Sequence, residues 1–192
     1  MAHTVCPWWL GYFLLNPLRR LRQDPRKVLS PYVRPAMTVL EPGPGMGFFT
    51  LELARLVGDA GRVVAVDVQP RMLASLRRRA ARYGLERRIE TRLASGASLA
   101  VDDLAGDVDF ILAFAVVHEL PDAAAFLAQA ARVLKPSGQL LIAEPRLHVS
   151  QSHFDATVRA AEAAGLREEA RPAIAGSRSV LLARQGTGAR AA

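Results

Sequence analysis

Three glycines at alternate positions, Gly43, Gly45 and Gly47, separate an apolar run ending at Leu40 from a second one beginning at Phe48, and Glu41 stands just before them. Glycine lets a backbone turn tightly and approach a ligand closely. A helix starting beyond such a turn aims its free N–H groups and positive dipole end at whatever sits there. That chemistry suits a nucleotide-type cofactor, and the spacing narrows the choice. The dinucleotide fingerprint Gly-x-Gly-x-x-Gly would need glycine at Phe48, whereas the third glycine stands at Gly47. A second acid follows at a suitable distance. Arg62 to Asp67 reads as a buried strand ending in a carboxylate, a group that can accept hydrogen bonds from the two vicinal hydroxyls of a ribose.

Histidines and acids cluster further along. His118 and Glu119 close the segment Ala115-Val116-Val117-His118-Glu119 at the end of another apolar strand. His118 could take a proton from an acidic hydroxyl or thiol, or could simply pack over the cofactor or cap the helix region that starts near Pro121-Asp122. Glu144, His148 and His153 follow a later strand: Glu144-Pro145 reads as the turn that ends it, His148 as the group facing substrate, and His153 as part of an exposed helix face. Together these residues match no recognised metal-ligand spacing, so no metal is expected.

Strands carrying these groups at their carboxyl ends require an alternating chain. Helices are expected over Gly47 to Val57, Arg71 to Tyr83, Asp122 to Leu134 and Gln151 to Ala164, the last capped by Ser150 and stopped by Gly165. Further strands are expected over Arg88 to Ala94, Asp109 to Val116 and Gly138 to Ala143. Glu168 to Ile174 and Ser179 to Arg184, joined by Ala175-Gly176-Ser177, should pair antiparallel. The alternation means a parallel sheet, with the ligand beyond its carboxyl edge where strand order reverses.

Glu41-x-Gly43-x-Gly45-x-Gly47, with Asp67 one strand later, resembles the first motif of the class I S-adenosylmethionine (AdoMet) methyltransferases, and the resemblance extends over about Met37 to Arg184. It implies an α/β fold: a doubly wound, mostly parallel seven-stranded sheet with helices on both faces and a C-terminal antiparallel hairpin, the seventh strand lying between the fifth and sixth. The cofactor it implies is S-adenosylmethionine. Glu41 would hold the loop and the cofactor's amino end, Gly43, Pro44, Gly45, Met46 and Gly47 would form the loop itself, Asp67 would take the ribose, and Val68 and Met72 would flank the adenine. Ser95, Gly96 and Phe114 would complete the site. Many relatives carry an Asp after the third strand, where this chain has Ala94-Ser95-Gly96, so the Ser95 hydroxyl or backbone groups would have to serve. The catalytic candidates are His118, Glu119 and His148. The resemblance implies methyl transfer to a small-molecule substrate; the alternatives are an AdoMet-binding module without methyl transfer and an RNA methyltransferase. The fourth strand is not followed by an Asn/Asp-Pro-Pro-Tyr motif, which argues against N-methylation of adenine or cytosine.

Composition sets the frame. A chain of 192 residues that is 51% hydrophobic builds one domain, residues 1–184, with 1–36 as an N-terminal extension or lid, 37–184 as the core, and 185–192 as a disordered tail. The single cysteine, Cys6, and the lack of a signal peptide point to the cytoplasm, and Val5 to Leu15 contains Pro7 and is too short to span a bilayer. The net charge of +7 comes almost wholly from arginine. Arg19, Arg20, Arg22, Arg26 and Lys27 form one cluster, and Arg71, Arg77, Arg78, Arg79 and Arg82 another. Solvated helix faces account for them; nucleic acid is the second, less favoured partner. Trp8, Trp9, Tyr12 and Phe13 suggest a cover over the active site, a docked helix, or peripheral contact with a membrane surface. Sequence alone leaves the oligomeric state open.

Overall fold

The computed structural model describes residues 23–95 and 98–185. The aromatic N-terminal segment with Arg19, Arg20 and Arg22, the cofactor candidate Gly96, and the tail from residue 186 onward lie outside them. The described chain runs α1 (Pro25–Leu29), β1 (Thr38–Pro42), α2 (Thr50–Val57), β2 (Arg62–Asp67), α3 (Pro70–Arg82), β3 (Ile89–Leu93), β4 (Val108–Phe114), α4 (Ala123–Val133), β5 (Leu134–Pro145), α5 (Gln151–Ala163), β6 (Leu166–Ala170) and β7 (Ser177–Arg184).

The seven strands form one sheet in the order β3-β2-β1-β4-β5-β7-β6. The first five are parallel, β7 runs antiparallel to both its neighbours, and strand order reverses between β1 and β4. This is the doubly wound, mostly parallel sheet implied by the sequence, including the seventh strand between the fifth and sixth. Alternate residues of the central strands point into two separate cores. Leu40, Val64, Val66, Ile111, Leu140 and Ile142 pack with α4 and α5 through Phe126, Leu127 and Phe154. Val39, Val63, Ala65, Phe110, Leu112 and Leu141 pack with α1, α2 and α3 through Leu29, Leu53 and Leu76. Burial on both faces explains why these strands read as continuous apolar runs instead of alternating patterns. One carboxylate ties three strand starts together: Asp109 accepts from Thr38 N at 2.8 Å and pairs with Lys135 Nζ at 2.7 Å.

Element boundaries shift where backbone chemistry intervenes. Asp122 and Ser150 cap α4 and α5, accepting from Ala125 N at 2.9 Å and His153 N at 3.2 Å. The final hairpin is offset from its expected position. β6 begins at Leu166 and is bulged between Glu168 and Ala170, and residues 171–176 make a broad connection before β7. Because Ser177 pairs with Pro145 at the end of β5, that connection lies on the carboxyl edge of the parallel strands.

Candidate active site

The glycine loop is fixed by a different physical cause at each glycine. Gly43 N donates to Val66 O at 2.8 Å, drawing the loop against β2, and a Cβ at Gly43 would stand 2.6 Å from Val116 Cγ2. A Cβ at Gly47 would meet Leu76 Cδ1 at 2.5 Å. Gly45, with φ +54°, faces open space. At Gly43 and Gly47 packing leaves no room for a Cβ, while Gly45 is the one whose Cβ position is open. Helix α2 starts at Thr50 and not at Gly47, since the positive φ of Gly47 and a turn through Phe48 and Phe49 precede it. Arg79, counted in the sequence among surface arginines, donates from Nη1 to the carbonyl of Met46 and so clamps the loop from α3. Its place between the inward-facing Leu76 and Ala80 was the only available signal.

Two acids flank the loop. Glu41 is 3% exposed, and burial, with a smaller contribution from nearby Asp67, pushes its carboxyl up to about 8. The Thr50 hydroxyl faces it and offsets part of that rise but lies outside good hydrogen-bonding geometry, so Glu41 Oε2 and Thr50 Oγ1 are buried without a formed bond. Asp67, at the end of β2, is pushed up to about 6 by burial. It accepts from Gln69 N at 2.8 Å, the Gly45 and Val68 amides also face it, and the charge of Glu119 opposes its ionisation. Val68 is exposed and Met72 buried at the start of α3. Ser95 is exposed beyond β3, its carbonyl accepting from Ser98 N at 3.3 Å.

The segment after β4 turns sharply. Phe114 packs on Phe49 at a ring separation of 4.4 Å, and Ala115 adopts φ 54° with its N–H held by Ala143 O at 2.7 Å. Glu144 is where the sequence reading falls short. It does not merely end a strand: β5 runs on through Pro145, and the Glu144 side chain is buried. Its Oε1 accepts from Val116 N at 3.2 Å and Val117 N at 3.0 Å, and its Oε2 bonds His118 Nδ1. An acid embedded after Leu140-Leu141-Ile142-Ala143 was the overlooked signal, because a carboxylate in an apolar run needs partners. His118 Nε2 stands 4.0 Å from Glu119 Oε1, and the His118 and His148 rings are 6.1 Å apart. His148 and His153 are exposed. The structure thus brings His118, Glu119 and His148 together, with Asp67 electrostatically coupled to Glu119, and leaves His153 apart.

The sheet order and the loop define a class I AdoMet methyltransferase fold. Residues 34–177 match the methyltransferase domain family model, and the chain belongs to that family. The ubiquinone/menaquinone biosynthesis C-methyltransferase UbiE of Enterobacter sp. (strain 638) is 34% identical over 112 residues, 58% of this chain and 44% of that protein. The arsenite methyltransferase of Halobacterium salinarum is 33% identical over 110 residues, 57% of this chain and 27% of that protein. The chain therefore spans less than half the length of either relative. A SAM dependent methyltransferase from Aquifex aeolicus superposes with a TM-score of 0.82 at 27% identity, covering 93% of this chain and 98% of that one.

The family's cofactor is S-adenosylmethionine, and the residues present fit it. A cation carrying an ammonium and a sulfonium suits a buried Glu41 oxygen without a partner, and the open side of Gly45 leaves room for a ligand against the backbone.

Proposed function

We propose that this chain transfers the methyl group of S-adenosylmethionine to a small-molecule acceptor, with Glu41 and the Gly43 to Gly47 loop holding the amino acid part, Asp67 the ribose, and Val68, Met72, Ser95 and Phe114 the adenine side. The observation that carries the reading is the unpartnered buried oxygen of Glu41 together with Asp67, whose carboxylate is faced by the amide of the open Gly45. When bound, the cofactor supplies an activated methyl group whose transfer is an in-line displacement. The protein's part is to align the acceptor, exclude water and hold charge. Glu119, whose charge acts on both Asp67 and His118, makes the site's field negative, which favours a cationic cofactor over its neutral-sulfur product.

Between α1 and the β6–β7 connection lies a cavity of about 580 Å³ with Asp24, Lys27, Tyr32, Pro172 and Ile174 in its wall; no residue of the cofactor site or of the His118 cluster lines it, so it carries no part of the acceptor reading. The relatives named for quinone and arsenite methylation point to small molecules. RNA is less well supported, since Arg77 bonds Thr91 at 3.0 Å, Arg78 bonds Ser75 at 2.9 Å, and Arg79 holds the loop. Among the described residues no helix is long and apolar enough to cross a membrane. Calorimetric titration with AdoMet, S-adenosylhomocysteine and NADH tests the cofactor. Incubation with methyl-labelled AdoMet and fractionated cell extract tests transfer: label is expected in small metabolites. Label in RNA would replace the acceptor class, and binding without transfer would leave a cofactor-binding module.

A further inference from the structure

We propose that Glu144 sets His118 as a proton acceptor, and that the methyl acceptor is a weakly acidic X–H compound, a phenol, enol or thiol, which loses its proton as it is methylated. This rests on the methyl-transfer reading above and names the substrate class for it.

The geometry begins with the strained turn. Ala115 holds a left-handed conformation at φ 54°, which a residue with a Cβ keeps only where its surroundings enforce it. Glu144 is among what enforces it. One oxygen takes both backbone N–H groups of the turn, Val116 and Val117, and the other is committed to His118 Nδ1. Bracing the turn needs only the first oxygen, so the second has a separate effect on the ring. A carboxylate only accepts, so the proton of the neutral imidazole sits on Nδ1 and the lone pair on Nε2. Nε2 makes no hydrogen bond among the described residues, and the His118 side chain is 19% exposed. The ring is therefore oriented, open at one nitrogen and backed by negative charge.

The charged and titratable groups facing the ring favour its protonated form. Glu144 on β5 bonds it, Glu119 lies 4.0 Å from Nε2, and His148 stands at a ring separation of 6.1 Å. The bond to Glu144 raises the His118 pKa above its ordinary value, and the charges of Glu144 and Glu119 add to the rise against the opposing effect of burial. In the reaction the X–H bond breaks and its proton passes to Nε2. Its electron pair forms the X–CH₃ bond, and the electrons of the methyl–sulfur bond stay on sulfur. The positive charge that disappears from sulfur reappears on the imidazolium, so the negative site keeps its balance.

Glu144→Gln separates this from a purely structural brace. The amide carbonyl must still face Val116 N and Val117 N, so the NH₂ faces Nδ1 and donates to it, forcing the proton onto Nε2 and removing the lone pair. Nitrogen-15 NMR of histidine-labelled protein with S-adenosylhomocysteine bound reads this without any acceptor. Wild type is expected to show His118 protonated on Nδ1 and titrating above the ordinary imidazole value. Glu144→Gln should show it protonated on Nε2 and titrating lower, with S-adenosylhomocysteine affinity within threefold. In labelled-extract assays between pH 6 and 9, His118→Asn and Glu144→Gln should each transfer label about 10²–10⁴-fold more slowly, the usual range for a lost general base. An Nε2–H tautomer in wild type, a pKa at or below the ordinary value, or full transfer by His118→Asn overturns the proposal. A wild-type protein that binds AdoMet and transfers no label overturns the methyl-transfer reading instead, and the NMR result then still decides whether the pair is arranged as stated.

Discussion

Arg79 on α3 donates from Nη1 to the carbonyl of Met46, the residue between Gly45 and Gly47, so the shape of the glycine loop depends on a helix that begins after the next strand. Arg79→Met keeps the apolar stem and removes the donor. AdoMet affinity should fall about fivefold to twentyfold, near the lower end for a hydrogen bond to a charged group, while the thermal midpoint moves by only a few degrees. Titration calorimetry checks this; affinity within twofold of wild type would mean that the loop keeps its shape unaided.

The glycines should separate by phenotype. Gly43→Ala drives a Cβ to 2.6 Å from Val116 Cγ2 in the turn that Glu144 braces, so it should lower stability and slow methyl transfer together. At Gly45→Val the added Cβ meets no atom within 4 Å beyond its chain neighbours, so the main cost is that of the positive φ, roughly 1–2 kcal/mol. This variant should fold and fail to bind AdoMet, because its side chain fills the ligand's space. Thermal unfolding beside calorimetry distinguishes them, and a Gly45→Val protein that binds normally would remove the loop from the cofactor site.

The architecture was legible because its signals are local and repeated. Continuous apolar runs at β2 and β4 announce strands buried on both faces, and Glu41, Gly45 and Asp67 sit where one backbone path puts them whatever the detailed packing. The second layer was not legible, because it depends on contacts between distant segments. Nothing in the sequence near Glu144 says that its oxygens meet residues 116 to 118, since that pairing requires β4 and β5 to be neighbours in register, as they are from Phe110↔Gln139 to Phe114↔Ala143. Likewise nothing in the sequence near Gly43 says that Val116 packs against it. His153 was read correctly as exposed, because helical periodicity alone places it.

Asp67→Ala should weaken AdoMet and S-adenosylhomocysteine equally, by about tenfold to a hundredfold, the worth of hydrogen bonds to a charged group. Both ligands carry the same ribose, so their affinity ratio should not move. A selective loss of AdoMet would instead assign Asp67 to the field that favours the cofactor's positive charge, and unchanged affinity for both would remove it from the site.

The buried acid at Glu41 predicts both a stability profile and a proton count. Its pKa rises from an ordinary 4.5 to about 8 on folding, and that of Asp67 from 3.8 to about 6. A carboxyl with a raised folded pKa binds its proton more tightly in the native state, so the associated stability is full below the unfolded value and is lost as pH climbs through the folded one. The cofactor-free protein should therefore lose stability from about pH 4 to pH 8, and Glu41→Gln should flatten the upper part of that decline, between about 6 and 8. Thermal midpoints across this range read the effect directly. If the cofactor's ammonium supplies the partner that Glu41 Oε2 lacks, bound Glu41 is ionised, and AdoMet binding near pH 7 should release close to one proton. Calorimetry in buffers of different ionisation enthalpy counts that proton. Loss of most of the release in Glu41→Gln would place the ammonium at Glu41, whereas the same release in both proteins would assign the titration to another group and leave the buried oxygen unexplained by the cofactor.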